Sequence, residues 1–155
     1  MMWTTSLTIA VLSIYIATLH EGCAGGDAGE LMAMACSGGI PHPPGYPLLM
    51  IVGRIWLLIS PKLYRCPAWH LSLLSAIFGS ISCGLIAQAT TLCCGCIFSG
   101  MLAGGMWAFS HLTWKYSTHF EVFSLNNLLC SLIVYLTVVF TWNFITVIEE
   151  YILSN

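Results

Sequence analysis

Two short stretches of this chain set side chains able to move a proton close together in sequence. Gly25-Gly26-Asp27-Ala28-Gly29-Glu30-Leu31 supplies two carboxylates, and Pro41-His42-Pro43-Pro44-Gly45-Tyr46-Pro47 adds an imidazole and a phenol. Only six Asp and Glu occur in the 155 residues, and this loop with its approach carries three of them, Glu21, Asp27 and Glu30. Asp27 and Glu30 share a face if the segment is helical, and a carboxylate so held can act as a general base. A plainer role competes. D-x-x-E ahead of Leu31-Met32-Ala33-Met34-Ala35 reads as a capping box, and Cys36-Ser37-Gly38-Gly39 as a glycine stop. Capping does not account for Gly25-Gly26, which lets backbone approach a ligand closely. Nor does it account for the prolines and glycine around His42 and Tyr46. Those either turn the loop onto a membrane surface or set His42 and Tyr46 as one wall of a substrate pocket.

A second polar cluster runs from Trp114 through Lys115, Tyr116, His119 and Glu121 to Asn126 and Asn127. Aromatics and Lys at a membrane boundary are ordinary anchors. Glu121 is less ordinary, because apolar chain flanks it closely on both sides, and a carboxylate there needs a partner or a task. Lys115 and Arg65 are the candidate partners.

The elements that must position these residues are membrane helices. Hydrophobic residues make up 58% of the chain and charged residues 6%, against roughly 25% charged in a soluble domain. The net charge of -2 and the lack of a basic run exclude a nucleic-acid partner. An all-α integral membrane fold with four spans is expected, over about 3–19, 71–89, 91–109 and 128–148. The first has neither a basic flank nor a small-residue exit, so it reads as a retained span rather than a cleaved signal. Leu48 to Ile59 is too short to cross and is interrupted by Arg54, which suggests an interfacial helix. Arg54, Lys62, Arg65 and Lys115 would place the two polar connections on the cytoplasmic side, on the vote of four charges. Cys93-Cys94-Gly95-Cys96 lacks the two-residue gaps and second ligand pair of a zinc site, and no metal is expected. Cys23, Cys36 and Cys66 share the long loop, where one disulfide can form if that loop is luminal. Gly100-Met101-Leu102-Ala103-Gly104 is read as close helix packing inside one bundle rather than as a dimer contact.

The polar motifs carry a resemblance. Gly25 to Leu31, His42 to Leu48 and Glu121 to Leu128, with Phe109-Ser110 and Leu112-Thr113-Trp114, resemble in order the N-terminal membrane region of the transmembrane protein 260 family of protein O-mannosyltransferases and its bacterial relatives. The resemblance covers nearly the whole chain. It implies a partial GT-C glycosyltransferase fold, a multi-pass protein of the endoplasmic reticulum membrane, and a long first loop, about 20–70, that is luminal and holds the catalytic acid. It implies dolichyl-phosphate mannose as donor and Ser or Thr of luminal receptor domains, such as the immunoglobulin-like domains of plexins, as acceptor. The luminal placement runs against the charge vote. Two departures stand out: Ala28 replaces a usual Ser, and Cys66 to Leu71 separate Tyr64-Arg65 from Ser72-Leu73-Leu74, where the family pattern is compact. Family members are several times longer, so a fragment, a short isoform or a truncated gene model is expected, inactive by itself.

On that footing Asp27 is the expected base and Glu30 its support. His42, Tyr46, Arg65, Lys115, Glu121 and Asn126 are expected to contact substrate, with Arg65 or Lys115 meeting the phosphate. No cofactor is expected beyond the lipid-linked donor, itself a substrate. Two other classes compete: a non-catalytic truncated membrane isoform, and a small transporter or channel subunit. The latter favours carboxylates at mid-span, whereas Asp27, Glu30 and Glu121 all fall at one edge.

Overall fold

In a computed structural model that describes residues 2–60 and 66–153, the chain is helical throughout, with no strand among the described residues. The helices are α1 (Met2–Ala17), α2 (Ala28–Ser37), α3 (Pro47–Ile59), α4 (Pro67–Cys94), α5 (Ile97–Ala108), α6 (His111–Ser117) and α7 (Val122–Leu153). Their ends follow local chemistry. Prolines open α3 and α4 at the first helical position, where a missing N–H costs nothing. The N–H groups of Gly38 and Gly39 close α2 on the Met34 carbonyl, at 2.8 and 3.0 Å.

Between α1 and α4, helices α2 and α3 pair as a hairpin laid against the N-terminal part of α4. Helix α4 is the centre of the fold, touching all six of the others. Leu31, Leu49, Leu71, Leu74 and Phe120 form a core under α2 and α3. A second core, around Val11, Tyr15, Ala76, Cys83 and Ala108, joins α1, α4 and α5.

The sequence places the break in the 71–109 region near residue 90. The structure carries α4 on to Cys94 and breaks at Gly95, which sits in the left-handed region (φ 65°) with its N–H on the Thr91 carbonyl at 2.9 Å. A glycine outside the helix supplies that conformation without strain, whereas Thr90 and Thr91 simply bond back to the preceding turn, to Ile86 and Ala87.

Two helices, α4 with 28 residues and α7 with 32, are long and apolar enough to cross a bilayer. Helices α1 and α5, with 16 and 12 residues, reach only about 24 and 18 Å at 1.5 Å per residue, short of the roughly 30 Å hydrocarbon core. Only 6% of the most apolar stretch of α7 is buried inside the fold, against 67% of that of α4. Ile133, Leu136, Phe140 and Phe144 therefore face outward, which suits hydrocarbon and not water.

Gly100 and Gly104 turn toward α4. A methyl group on Gly100 would meet the Thr91 hydroxyl oxygen at 2.0 Å and the Ala87 carbonyl at 2.5 Å, and one on Gly104 would meet the Ala87 Cβ at 2.8 Å. The glycine pair serves contact within the chain. Gly105 next to it faces open space. Gly100→Ala should therefore destabilise the folded chain by about 1–3 kcal/mol through overpacking, while Gly105→Ala should be neutral or stabilising by up to about 1 kcal/mol. Unfolding in detergent micelles checks the pair.

Candidate active site

The loop assembles around His42. Glu30, in the first turn of α2, accepts the His42 backbone N–H at 2.7 Å through one carboxylate oxygen and meets the ring Nδ1 at 2.9 Å through the other. The opposite ring nitrogen, Nε2, faces the Asp27 carboxylate at 3.8 Å. The capping box does not form: Glu30 has turned to His42, and the Asp27 side chain makes no capping hydrogen bond to α2. The prolines and a turn closed by Gly45 N–H on the His42 carbonyl, at 2.9 Å, present the imidazole to both carboxylates. Tyr46, itself in the left-handed region (φ 42°), sets its ring edge-on to the imidazole at 5.7 Å.

Charge follows contact. The hydrogen bonds from His42 hold the Glu30 carboxyl below its ordinary range. The same bond, with the nearby charges of Glu30, Asp27 and Glu121, raises the imidazole above its own, against a smaller opposing effect of burial. All three side chains stay open to solvent, His42 at 37%, Glu30 at 42% and Asp27 at 63%.

Glu121 arrives from the far end of the sequence, one residue before α7. It is 6% exposed, and a side chain on Gly26 would come within 3.7 Å of one carboxylate oxygen. Burial pushes its carboxyl up and the Asp27 charge adds to that, while the Val122 N–H, Lys115 and the Ala28 N–H oppose the rise. Lys115 also lies over the Tyr116 ring at 5.4 Å. The expected partnership of Lys115 with Glu121 is thus electrostatic, with no ion pair between them. Tyr46 and Asn126 line a groove of about 360 Å³ between the start of α3 and the start of α7, beside the cluster. The Asn126 side-chain oxygen also lies 3.9 Å from the Cys130 thiol.

The structure therefore brings together Asp27, Glu30, His42, Tyr46 and Glu121, with Lys115 and Asn126 at the margin. Arg65 and Lys62 lie outside the described residues. Among the described residues the His42 imidazole is the basic group that meets the Glu30 and Asp27 carboxylates, at 2.9 and 3.8 Å. Arg54, read from sequence only as an interruption, donates from its guanidinium to the Cys36 carbonyl and closes the C-terminal end of α2. It also lines an apolar cavity of about 550 Å³ with Met34, Ile40, Met50 and Ile51. No local spacing announces that contact, which joins residues in different helices. Cys23, Cys36 and Cys66 are free thiols, and the Cys66 thiol donates to the Glu21 carbonyl at 3.4 Å. No group of three or more His, Cys, Asp or Glu side chains among the described residues is arranged to hold a metal ion.

Residues 27–147 match the family described as the protein O-mannosyl-transferase TMEM260 N-terminal domain, a span that begins at Asp27 and includes Glu121. The chain belongs to this family. It is 37% identical over 131 residues to the protein O-mannosyl-transferase TMEM260 of Mus musculus, covering 84% of this chain and 18% of that protein. With the Dictyostelium discoideum protein of the same name it shares 38% identity over 135 residues, covering 87% of this chain and 16% of the relative. The chain thus matches less than a fifth of the length of these relatives. No solved structure gives a significant match.

The Glu30–His42 contact makes a signed prediction. A raised imidazole pKa stabilises the fold fully below its ordinary value near 6.5 and loses that contribution as pH climbs through the raised value. A lowered carboxyl pKa contributes above its ordinary value near 4.5 and loses this as pH falls through the depressed value. The contact should therefore stabilise most between about pH 4.5 and 6.5. Glu30→Gln should lower the His42 midpoint toward its ordinary value in a histidine-ring NMR titration. An unmoved midpoint would show that the contact does not govern the imidazole.

Proposed function

We propose that this chain is the N-terminal membrane part of a protein O-mannosyltransferase that transfers mannose from dolichyl-phosphate mannose to Ser or Thr of luminal receptor domains, plexin immunoglobulin-like domains among them. Family membership supports the reaction class. The observation that carries the assignment to this loop is the meeting of Asp27, Glu30 and His42 with Glu121, which lies far away in sequence. In this reading the acceptor hydroxyl oxygen attacks the anomeric carbon of mannose, and its proton passes to the Asp27 carboxylate. The bond from that carbon to the phosphate oxygen breaks, and the phosphate leaves on its lipid. Glu30 fixes the imidazole, and the imidazolium faces Asp27 and the developing phosphate charge. The reading invokes no metal and no cofactor.

The same reading sets α4 and α7, and with them the shorter α1 and α5 as the remaining two of four spans, in the endoplasmic reticulum membrane, with the N-terminus cytosolic. Both polar connections, about 20–70 and 115–126, then face the lumen, since each follows an odd number of spans. The groove at Tyr46 and Asn126 is lined by the first turns of α7, where a lipid-linked donor can keep its chain in hydrocarbon.

Two outcomes test this. Grafted in place of the corresponding part of the mouse relative, this segment with Asp27→Asn should transfer mannose to a plexin domain roughly 10²–10⁴-fold more slowly than the unsubstituted graft. Equal rates at equal protein level would remove Asp27 as the base. Independently, an N-glycosylation sequon engineered beside Lys62 should be glycosylated in microsomes, and an unmodified site reached by a cytosolic label would invert the topology.

A further inference from the structure

The transfer step leaves Glu121 without a task. Its burial, at 6% exposure, argues against the substrate contact expected from sequence. Its surroundings point elsewhere. A helix start leaves several backbone N–H groups without partners inside the helix, and α2 obtains no capping bond from the Asp27 side chain. The Glu30 carboxylate, the other half of the expected capping box, is occupied by His42 through both oxygens. What faces the first N–H of α2, that of Ala28, is the Glu121 carboxylate. It lies beside the Gly26 turn, where an added Cβ would stand in ordinary contact with Oε1, at 3.7 Å. Its own helix fixes it from the other side: Val122 offers a second backbone N–H, and the Ser124 hydroxyl donates to the Glu121 carbonyl at 3.2 Å.

We propose that Glu121 is a positioning residue: it caps α2 from across the fold, holds the turn at Gly26 and Asp27 in place, and so leaves the Asp27 carboxylate uncommitted. The functional side of this role rests on Asp27 being the base. Among the described residues, the charged and titratable groups bearing on Glu121 are Asp27 and Lys115, and Glu121 in turn bears on His42.

The test reads the Ala28 amide in the isotope-labelled chain, held in detergent micelles, by NMR against pH and by deuterium exchange. The Ala28 amide proton should show a titration step above the ordinary glutamate range, kept in Asp27→Asn and lost in Glu121→Gln. Glutamine still offers an oxygen, so exchange at Ala28 should stay slow in that variant and quicken roughly tenfold in Glu121→Ala, the scale of losing a helix cap. A step that survives Glu121→Gln, disappears in Asp27→Asn or is absent from the unsubstituted chain would overturn the cap. If Glu121→Ala fails to fold, the glutamine and asparagine variants decide alone. No turnover is read, so a failed cap leaves the base standing, and an active Asp27→Asn graft removes the base while leaving the cap.

Discussion

The geometry of the site depends on the burial of one ring. Phe120 is fully buried among Leu31, Leu49 and Leu71, helices α2, α3 and α4 each contributing to its seat. Its ring tip lies 3.0 Å from where a Cβ on Gly53 would stand, so the glycine lets α3 approach the ring without displacing it by a few tenths of an ångström. Fully burying such a side chain stabilises by roughly 1.5–3 kcal/mol. The chain leaving α6 must therefore dive beneath the α2–α3 hairpin before α7 can begin. Glu121, the next residue, is delivered to the start of α2 as a consequence, and Val122 to the groove it shares with Tyr46. Without that anchor the two polar motifs would have no fixed relation.

Delivering a carboxylate into a nearly charge-free chain carries a cost. Burying an ionised group without partners is far more expensive than one helix cap can offset, so Glu121 is tolerable only where backbone N–H groups and a cation answer it. The α2 start and Lys115 supply both. On the open side of the loop the problem is milder, because Glu30 and His42 keep contact with solvent and their pairing is worth correspondingly little to stability. The polar groups thus collect at one end of α7, while the length of that helix exposes an apolar surface suited to hydrocarbon.

Much of the frame was legible because it is written locally. Gly38-Gly39 marks the expected stop, and the apolar run at 48–59 with its arginine forms a separate short helix, whereas α4 starts at Pro67, four residues before the expected 71. The paired glycines at 100 and 104 were read correctly as packing within the bundle. What could not be read was decided by partners distant in sequence. The D-x-x-E pattern has every feature of a capping box, yet His42 outcompetes the backbone for Glu30, because the imidazole and the His42 backbone N–H meet both oxygens at once. The end of α4 was misplaced since hydropathy runs unbroken through Thr90, and only the φ demand at Gly95 fixes the break. Arg54 gave no local signal of its contact with Cys36. The expected four spans rest on apolar length, and in the structure α1 and α5 fall short of it.

Exposure separates the roles within the cluster. A group that meets substrates must reach them, and Asp27, at 63% exposure with the imidazole 3.8 Å from its carboxylate, has that reach. A group that fixes geometry must not move, and Glu121 is confined on every side by backbone and core. Glu30 and His42 lie between, half-open and bound to each other, suited to passing the constraint of the loop to Asp27 without covering it. The resemblance treats the loop carboxylates and Glu121 alike as motif residues. Their burial does not, and a carboxylate that is closed off supports the open one by occupying the helix start that Asp27 would otherwise be drawn to cap.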